Sequence, residues 1–169
     1  MPDAISIRLA SAADLPAINA IYNHYVVHST ATYQTAPETA EDRATWFASH
    51  GPEHPITVAE RDGVIVGWGS LSPFHRRAAY SRTVENSVYI HHEYHRRGIG
   101  QAMLMDLIAR GMKIGHHTII ALIDADQAAS VALHEAMGFV TVGHLKQVGH
   151  KFGRWLDVYY MQLMLGEAT

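Results

Sequence analysis

The chain contains no cysteine. That excludes disulfides, thiolate-bound zinc and a cysteine nucleophile, and it fits a reducing compartment. There is no excess of base either: 13 Lys and Arg stand against 16 Asp and Glu, a formal net charge of −3. Without a global positive field, general nucleic-acid binding is not expected. No apolar run is long enough to span a bilayer. The opening Met1-Pro2-Asp3-Ala4-Ile5 lacks the basic-then-apolar layout of a secretory leader. A cytoplasmic protein without membrane contact is the default expectation. Repeats, linkers and low-complexity stretches are also missing. What remains is 169 residues, 48% hydrophobic and 17% charged, which reads as one globular domain over 1–169.

The pattern along the chain alternates between strand and helix periods. Ile5-Ser6-Ile7-Arg8-Leu9 alternates apolar and polar residues, as a half-buried strand does. Ser11 with Asp14 forms a capping pair, Pro16 sits in the first turn, and Leu15, Ile18, Ile21, Tyr22 and Tyr25 recur at helical spacing, predicting a helix over 12–28. Thr39 with Asp42 opens a second short helix carrying Trp46 and Phe47, after a polar, irregular segment 29–38. Asp62-Gly63 between Ile56–Glu60 and Val64–Trp68 predicts a hairpin, because both turn residues accept positive φ. A loop rich in His and Arg covers 73–82, and Thr83–Ile90 is the next strand. A long helix over 98–115 is expected to turn Ile99, Ala102, Met103, Ile108 and Met112 inward. A strand over 118–123 follows, then a short helix over 128–137 stopped by Gly138. Strands over 139–145 and 156–165 close the chain around a basic turn holding Gly149 and Gly153. The order β-α-α-β-β-β-α-β-α-β-β predicts a mixed α/β (α+β) protein, a central sheet flanked by helices.

One segment carries chemistry. His95-Arg96-Arg97-Gly98-Ile99-Gly100-Gln101 follows a strand and opens a helix. Unpaired N–H groups at a helix start face outward at the positive end of the dipole, and glycines let the main chain approach an anion. A phosphate-bearing ligand suits such a place, and Arg96 and Arg97 add charge-assisted contacts. Read alone, the segment is equally a glycine-containing helix start with two solvated arginines. It is neither G-x-G-x-x-G nor a P-loop.

The segment resembles motif A of the Gcn5-related N-acetyltransferases, Gln/Arg-x-x-Gly-x-Gly/Ala, with His95 at the Gln/Arg position. A second motif of that family is similar to Asp126-Gln127-Ala128-Ala129-Ser130 leading to Leu133-His134-Glu135-Ala136-Met137-Gly138-Phe139, with Gln127 where the family usually has Asn. Thr83–Ile90, Leu133-His134-Glu135, Lys151–Asp157 and Ile21-Tyr22-Asn23-His24-Tyr25 further resemble the phosphinothricin / methionine sulfoximine N-acetyltransferase branch, over nearly the whole chain.

The resemblance implies the acyl-CoA N-acyltransferase fold, acetyl-CoA as cosubstrate, no metal, and a small amine as acceptor. It puts the pyrophosphate on Arg96, Arg97, Gly98, Ile99, Gly100 and Gln101, with Gln127 and Ser130 nearby. It puts the pantetheine arm on the main chain of Val88, Tyr89 and Ile90, where the family's sheet splays. Glu85 takes the place of the family's catalytic glutamate, because a protonated α-amine must lose a proton to attack a thioester. Tyr33, His75, Arg76, Arg77, Tyr80, Glu85, Asn86, Ser87 and His134 are implied around the substrate, with Arg77 as the carboxylate clamp. A homodimer is implied by the family's habit of pairing C-terminal segments.

Without the resemblance, Glu85 reads as an exposed strand residue and His75–Tyr80 as a solvated loop. His91-His92-Glu93-Tyr94-His95 is one residue short of H-E-x-x-H and reads as a solvated loop rather than a metal site. His116-His117 reads as a helix-closing pair suited to the dipole. Two other functions stay open at this level: acetylation of another amine (an antibiotic, a polyamine or a protein N-terminus), and a non-catalytic acyl-CoA-binding module on the same fold.

Overall fold

The computed structural model describes residues 4–166. Met1, Pro2 and Asp3, part of the opening segment read above, lie outside the described residues. The first strand β1 (Ser6–Leu9) is followed by a single 3-10 turn at Ala12–Asp14 and helix α1 (Leu15–His28). The Asp14 carboxylate caps this entry: Oδ2 accepts from the Ser11 N–H at 2.8 Å, and both oxygens accept from the Arg8 guanidinium at 2.8 and 2.9 Å. Helix α2 (Ala40–Ala48) starts on the expected reciprocal cap, Thr39 Oγ1 accepting from the Asp42 N–H at 3.1 Å and Asp42 Oδ2 from the Thr39 N–H at 2.9 Å.

Strands β2 (Ile56–Arg61) and β3 (Val64–Pro73) form the expected hairpin, with Asp62 at φ 52° and Gly63 at φ 77°. β3 runs on to Pro73, past the expected end at Trp68, because β4 (Thr83–Ile90) pairs along it from Pro73↔Val84 to Gly67↔Ile90. Helix α3 (Ile99–Ile114), strand β5 (Thr118–Asp124) and helix α4 (Ala128–Ala136) follow, then a hairpin of β6 (Val140–Lys151) and β7 (Arg154–Met164). The seven strands lie in the order β1-β2-β3-β4-β5-β7-β6, antiparallel except for β4 beside β5.

Helices cover both faces. Ile18 and Ile21 of α1 pack on Ile56, Val58 and Trp68. Leu104 and Leu107 of α3 pack with Val131 and Leu133 of α4 on Leu71, Val84, Ile119 and Met161 from the other side. Each such buried side chain is worth roughly 1.5–3 kcal/mol. Of the residues expected to face inward from α3, Met112 is instead 54% exposed. Leu104 and Leu107 fill the stripe, and Gly111 takes the last turn, where a Cβ would meet Leu165 at 3.3 Å. His116 does not close the helix as a surface cation. It follows the Gly115 cap (φ 99°), is buried, and donates from Nε2 to the Glu53 carbonyl at 2.6 Å. The β6–β7 turn uses Phe152 (φ 52°) and Gly153 (φ 73°). Gly149, expected in the turn, lies within β6, because the Tyr33 ring lies 2.5 Å from where a Cβ would stand. Among the described residues no helix is long and apolar enough to cross a membrane.

Candidate active site

β4 is paired with β3 to its end but with β5 only from Thr83↔Thr118 to Glu85↔Ile120. Beyond Glu85 the two parallel strands part. Antiparallel pairs alternate between bonded and non-bonded rungs. The His91 N–H donates to the Val66 carbonyl at 2.9 Å, so Tyr89 and Ser87 also turn their main chain to β3. Val88 and Ile90 therefore present theirs to the gap, although the Ile90 carbonyl is taken by the Tyr25 hydroxyl, which leaves its N–H. Such freed groups need partners, which makes this edge a template for an extended ligand. Of the three residues expected to serve it, Val88 and Ile90 face the gap by main chain. Tyr89 contributes its ring, stacked on Trp68 at 5.0 Å.

A cavity of about 450 Å³ follows this edge. Its walls include Val88, Ile90, Arg96, Gly98, Ile99 and Gly100 from one side and Gln127, Ser130, Leu133 and His134 of α4 from the other. Arg96 (φ 59°) and Gly98 (φ 76°) both take left-handed backbone, which turns the chain sharply into α3. At Gly100 the Leu133 side chain stands 3.3 Å from where a Cβ would be, so glycine keeps α3 and α4 close. Arg97 is turned away, over the Tyr94 ring at 5.1 Å with Nη2 donating to the Glu93 carbonyl at 3.4 Å. Gln101 is exposed on α3 outside the lining. His95, at the departure from the motif, pairs by Nε2 with the Tyr25 hydroxyl at 2.5 Å, and that hydroxyl donates to the Ile90 carbonyl. Gln127, the second departure, donates from Nε2 to Thr30 Oγ1 at 3.1 Å.

A second cavity of about 400 Å³ reaches in from the α1–α2 face, among Tyr22, Tyr33, Arg43, Trp46, Trp68 and Tyr89. Arg43 is buried, its Nη2 2.7 Å from Glu38 and its guanidinium 4.7 and 4.6 Å from the Tyr22 and Trp46 rings. Glu85 lines both cavities, together with Ser87, Tyr89, Leu122 and Asp124. Burial raises the Glu85 carboxyl above its ordinary pKa. The spot where the strands part is thus a wall shared by two chambers, with a carboxyl in it.

The Ile21–Tyr25 stretch has a physical role here. The Tyr22 hydroxyl meets Thr32 Oγ1 at 2.9 Å, Asn23 brackets the Glu38 backbone at 2.9 and 2.8 Å, and Tyr25 holds the end of β4. Lys151 finishes the wall: it is buried and its Nζ donates to the Ser29 and Thr32 carbonyls at 2.7 and 2.8 Å.

Tyr33 lines the second cavity, its hydroxyl donating to the Asp157 carbonyl at 2.9 Å. Asn86 and His134 lie on the first cavity instead, away from the second. His134 Nδ1 donates to the Ser130 carbonyl at 2.7 Å, so its neutral ring accepts at Nε2 from Asn86 Nδ2 at 3.1 Å. Burial lowers its pKa. His75, Arg76, Arg77 and Tyr80 are exposed and line neither cavity. The chain leaves the sheet after Pro73, and the His75 and Tyr80 rings pack on each other at 4.7 Å. Sequence reasoning did not single out Tyr25, Arg43 or Asp124 for the site. Tyr25 reads in the sequence as one more residue at helical spacing, and nothing in the residues next to Arg43 or Asp124 marks either one.

The acetyltransferase (GNAT) family model matches residues 18–139. The chain is 39% identical to the L-amino acid N-acyltransferase MnaT of Escherichia coli, over 98% of this chain and 96% of that one. It is 38% identical to the L-methionine sulfoximine/L-methionine sulfone acetyltransferase of Salmonella typhimurium, over 96% of each. The crystal structure of a GNAT superfamily phosphinothricin acetyltransferase from Sinorhizobium meliloti in complex with acetyl-CoA superposes with a TM-score of 0.94, at 39% identity, over 98% of this chain and 90% of that one. The chain with this splayed sheet and these two adjoining chambers belongs to the acetyltransferase (GNAT) family and is an N-acetyltransferase.

Proposed function

We propose that the protein moves the acetyl group of acetyl-CoA to the free α-amine of small L-amino acid analogues, of the class of phosphinothricin, methionine sulfoximine and methionine sulfone, with Glu85 as general base. The observation that carries this reading is the position of Glu85 where the two chambers meet.

The first chamber suits acetyl-CoA. The start of α3 offers N–H groups to a pyrophosphate, with Arg96 alongside. The free edge at Val88 and Ile90 suits the pantetheine amides, and one of its N–H groups suits the thioester oxygen as negative charge builds there. Such a donor is worth about 3–4 kcal/mol. The second chamber suits a small zwitterion better than a polypeptide: it is small and walled by Trp46, Trp68 and Tyr33. That argues against a protein N-terminus as the acceptor.

The α-ammonium enters from the α1–α2 side and gives one proton to Glu85. A carboxyl raised by burial is a better proton acceptor than a free one. The amine then attacks: the N–C bond forms, the C–S bond breaks, and CoA leaves as thiolate. The second N–H proton reaches the thiolate through solvent. No acetyl-enzyme is required, and the chain has no cysteine to form one.

The same reading includes a cytoplasmic homodimer. Val142, Val148, Phe152 and Trp155 leave an apolar surface exposed on the β6–β7 hairpin, Trp155 at 62%. Sedimentation at the mass of two chains supports the dimer, and a mass of 18.7 kDa contradicts it. Thiol release from acetyl-CoA with each of the three analogues tests the activity. Turnover of a polyamine or an aminoglycoside alone overturns the amino-acid assignment.

A further inference from the structure

Asp124 closes β5, opposite Val158 of β7, beyond the last rung with β4 at Ile120. It is only 5% exposed, yet it lines both chambers. Its Oδ1 accepts one long bond, from the Asp126 N–H at 3.3 Å, and its Oδ2 has no partner. Among the described residues no Lys, Arg or His pairs with it; the neighbouring Arg154 is taken by Asp126 at 2.6 Å. The Tyr33 hydroxyl beside it has its proton committed to the Asp157 carbonyl. A buried carboxylate left without a cation is a costly arrangement, kept where something else supplies the charge.

We infer that Asp124 is the residue that binds the ammonium group of the incoming amine and selects for amino-bearing ligands, an inference that rests on the reading of the second chamber given above. An α-ammonium carries three N–H donors and one positive charge. Asp124 Oδ2 is an acceptor of opposite charge, free and held out of solvent, in the wall through which the amine must pass. Glu85 stands in the same wall. Two carboxylates then divide the work. Asp124 holds the nitrogen, and Glu85 takes the proton. The β5–β7 ladder fixes the Asp124 backbone and the Asp126 N–H holds its Oδ1, so the anchor is in place before the ligand arrives.

Asp124→Asn keeps the shape and removes the charge. KM for L-methionine sulfoximine is expected to rise roughly tenfold or more, with acetyl-CoA affinity unchanged within about twofold. The thermal midpoint should stay or rise, because an unpaired buried charge has gone. A structural Asp would lower that midpoint. Calorimetry without acetyl-CoA gives a second arm: wild type should prefer L-methionine sulfone to its deaminated analogue, and Asp124→Asn should not. An unchanged KM, a parallel loss of acetyl-CoA affinity, a fall in thermal midpoint, or no preference for the amine in wild type overturns the inference. Absence of turnover with all three analogues overturns the functional reading instead, and the calorimetric arm still judges Asp124.

Discussion

Glu85 and Ile120 form the last rung of the parallel ladder between β4 and β5. One residue later the strands part, and the Glu85 carboxyl is left at the edge of the opening with a chamber on either side. The end of pairing is thus what places a carboxyl between the two chambers.

Replacing Glu85 with Gln keeps the shape of the shared wall and removes its proton acceptor. We expect kcat to fall by about 10²–10⁴-fold, with acetyl-CoA affinity measured by calorimetry unchanged. Turnover at the wild-type rate would remove Glu85 from the chemistry.

The pH profile follows from the same burial. As the proposed base Glu85 works only when ionised, and burial raises its pKa. The acid limb of kcat/KM is therefore expected above the ordinary carboxylate range, with activity rising through it as pH increases. The Gln variant should lack that limb. A limb that survives in the variant belongs to another group.

Gly98 takes φ 76°, with nothing within 4 Å of where a Cβ would stand. Gly98→Ala is thus strained by its backbone alone. It should lose about 1–2 kcal/mol of stability and raise KM for acetyl-CoA while leaving kcat near wild type. Urea denaturation and initial-rate kinetics read the two effects.

Lys151 spans from β6 to the loop that walls the second chamber, through the carbonyls of Ser29 and Thr32. Lys151→Met keeps the stem and leaves two carbonyls without a donor, a loss of about 1–3 kcal/mol. KM for the amine should rise more than KM for acetyl-CoA, because the damage is on the α1–α2 side.

Acid should weaken the entry to α1. Hydrogen bonds from Arg8 lower the Asp14 pKa from 3.8 to about 2. Because the folded value is the lower one, the contribution is complete above 3.8 and is lost as pH falls towards about 2. Asp14→Asn should therefore be less stable than wild type at neutral pH, with the gap in urea midpoint closing between pH 4 and pH 2 (about the window of the shift).

Local rules made much of this molecule legible. Asp62-Gly63, the Thr39–Asp42 cap and the Gly98 and Gly115 helix bounds each depend on a few adjacent residues, and each stands in the structure. The second hairpin was harder to see because its turn sets Phe152, a residue with no turn signature, at positive φ. Gly149 looks like a turn residue, and only the distant Tyr33 ring explains it as a strand residue. The site divides the same way. Glu85, Gly98 and Gly100 come with a recognisable motif. Asp124 does not, because its significance is an unsatisfied oxygen between two chambers, and no run of neighbours in sequence encodes that.

In the proposed reaction two ligands meet at Glu85 through the parting of β4 and β5. Steady-state thiol release from acetyl-CoA, with L-phosphinothricin, L-methionine sulfoximine and L-methionine sulfone as acceptors, tests it most directly when wild type and Glu85→Gln are run side by side. Wild type is expected to turn over at least one acceptor, and the variant to lose about 10²-fold or more at equal acetyl-CoA occupancy. Equal rates in the two proteins, or thiol release with none of the three acceptors, would contradict it.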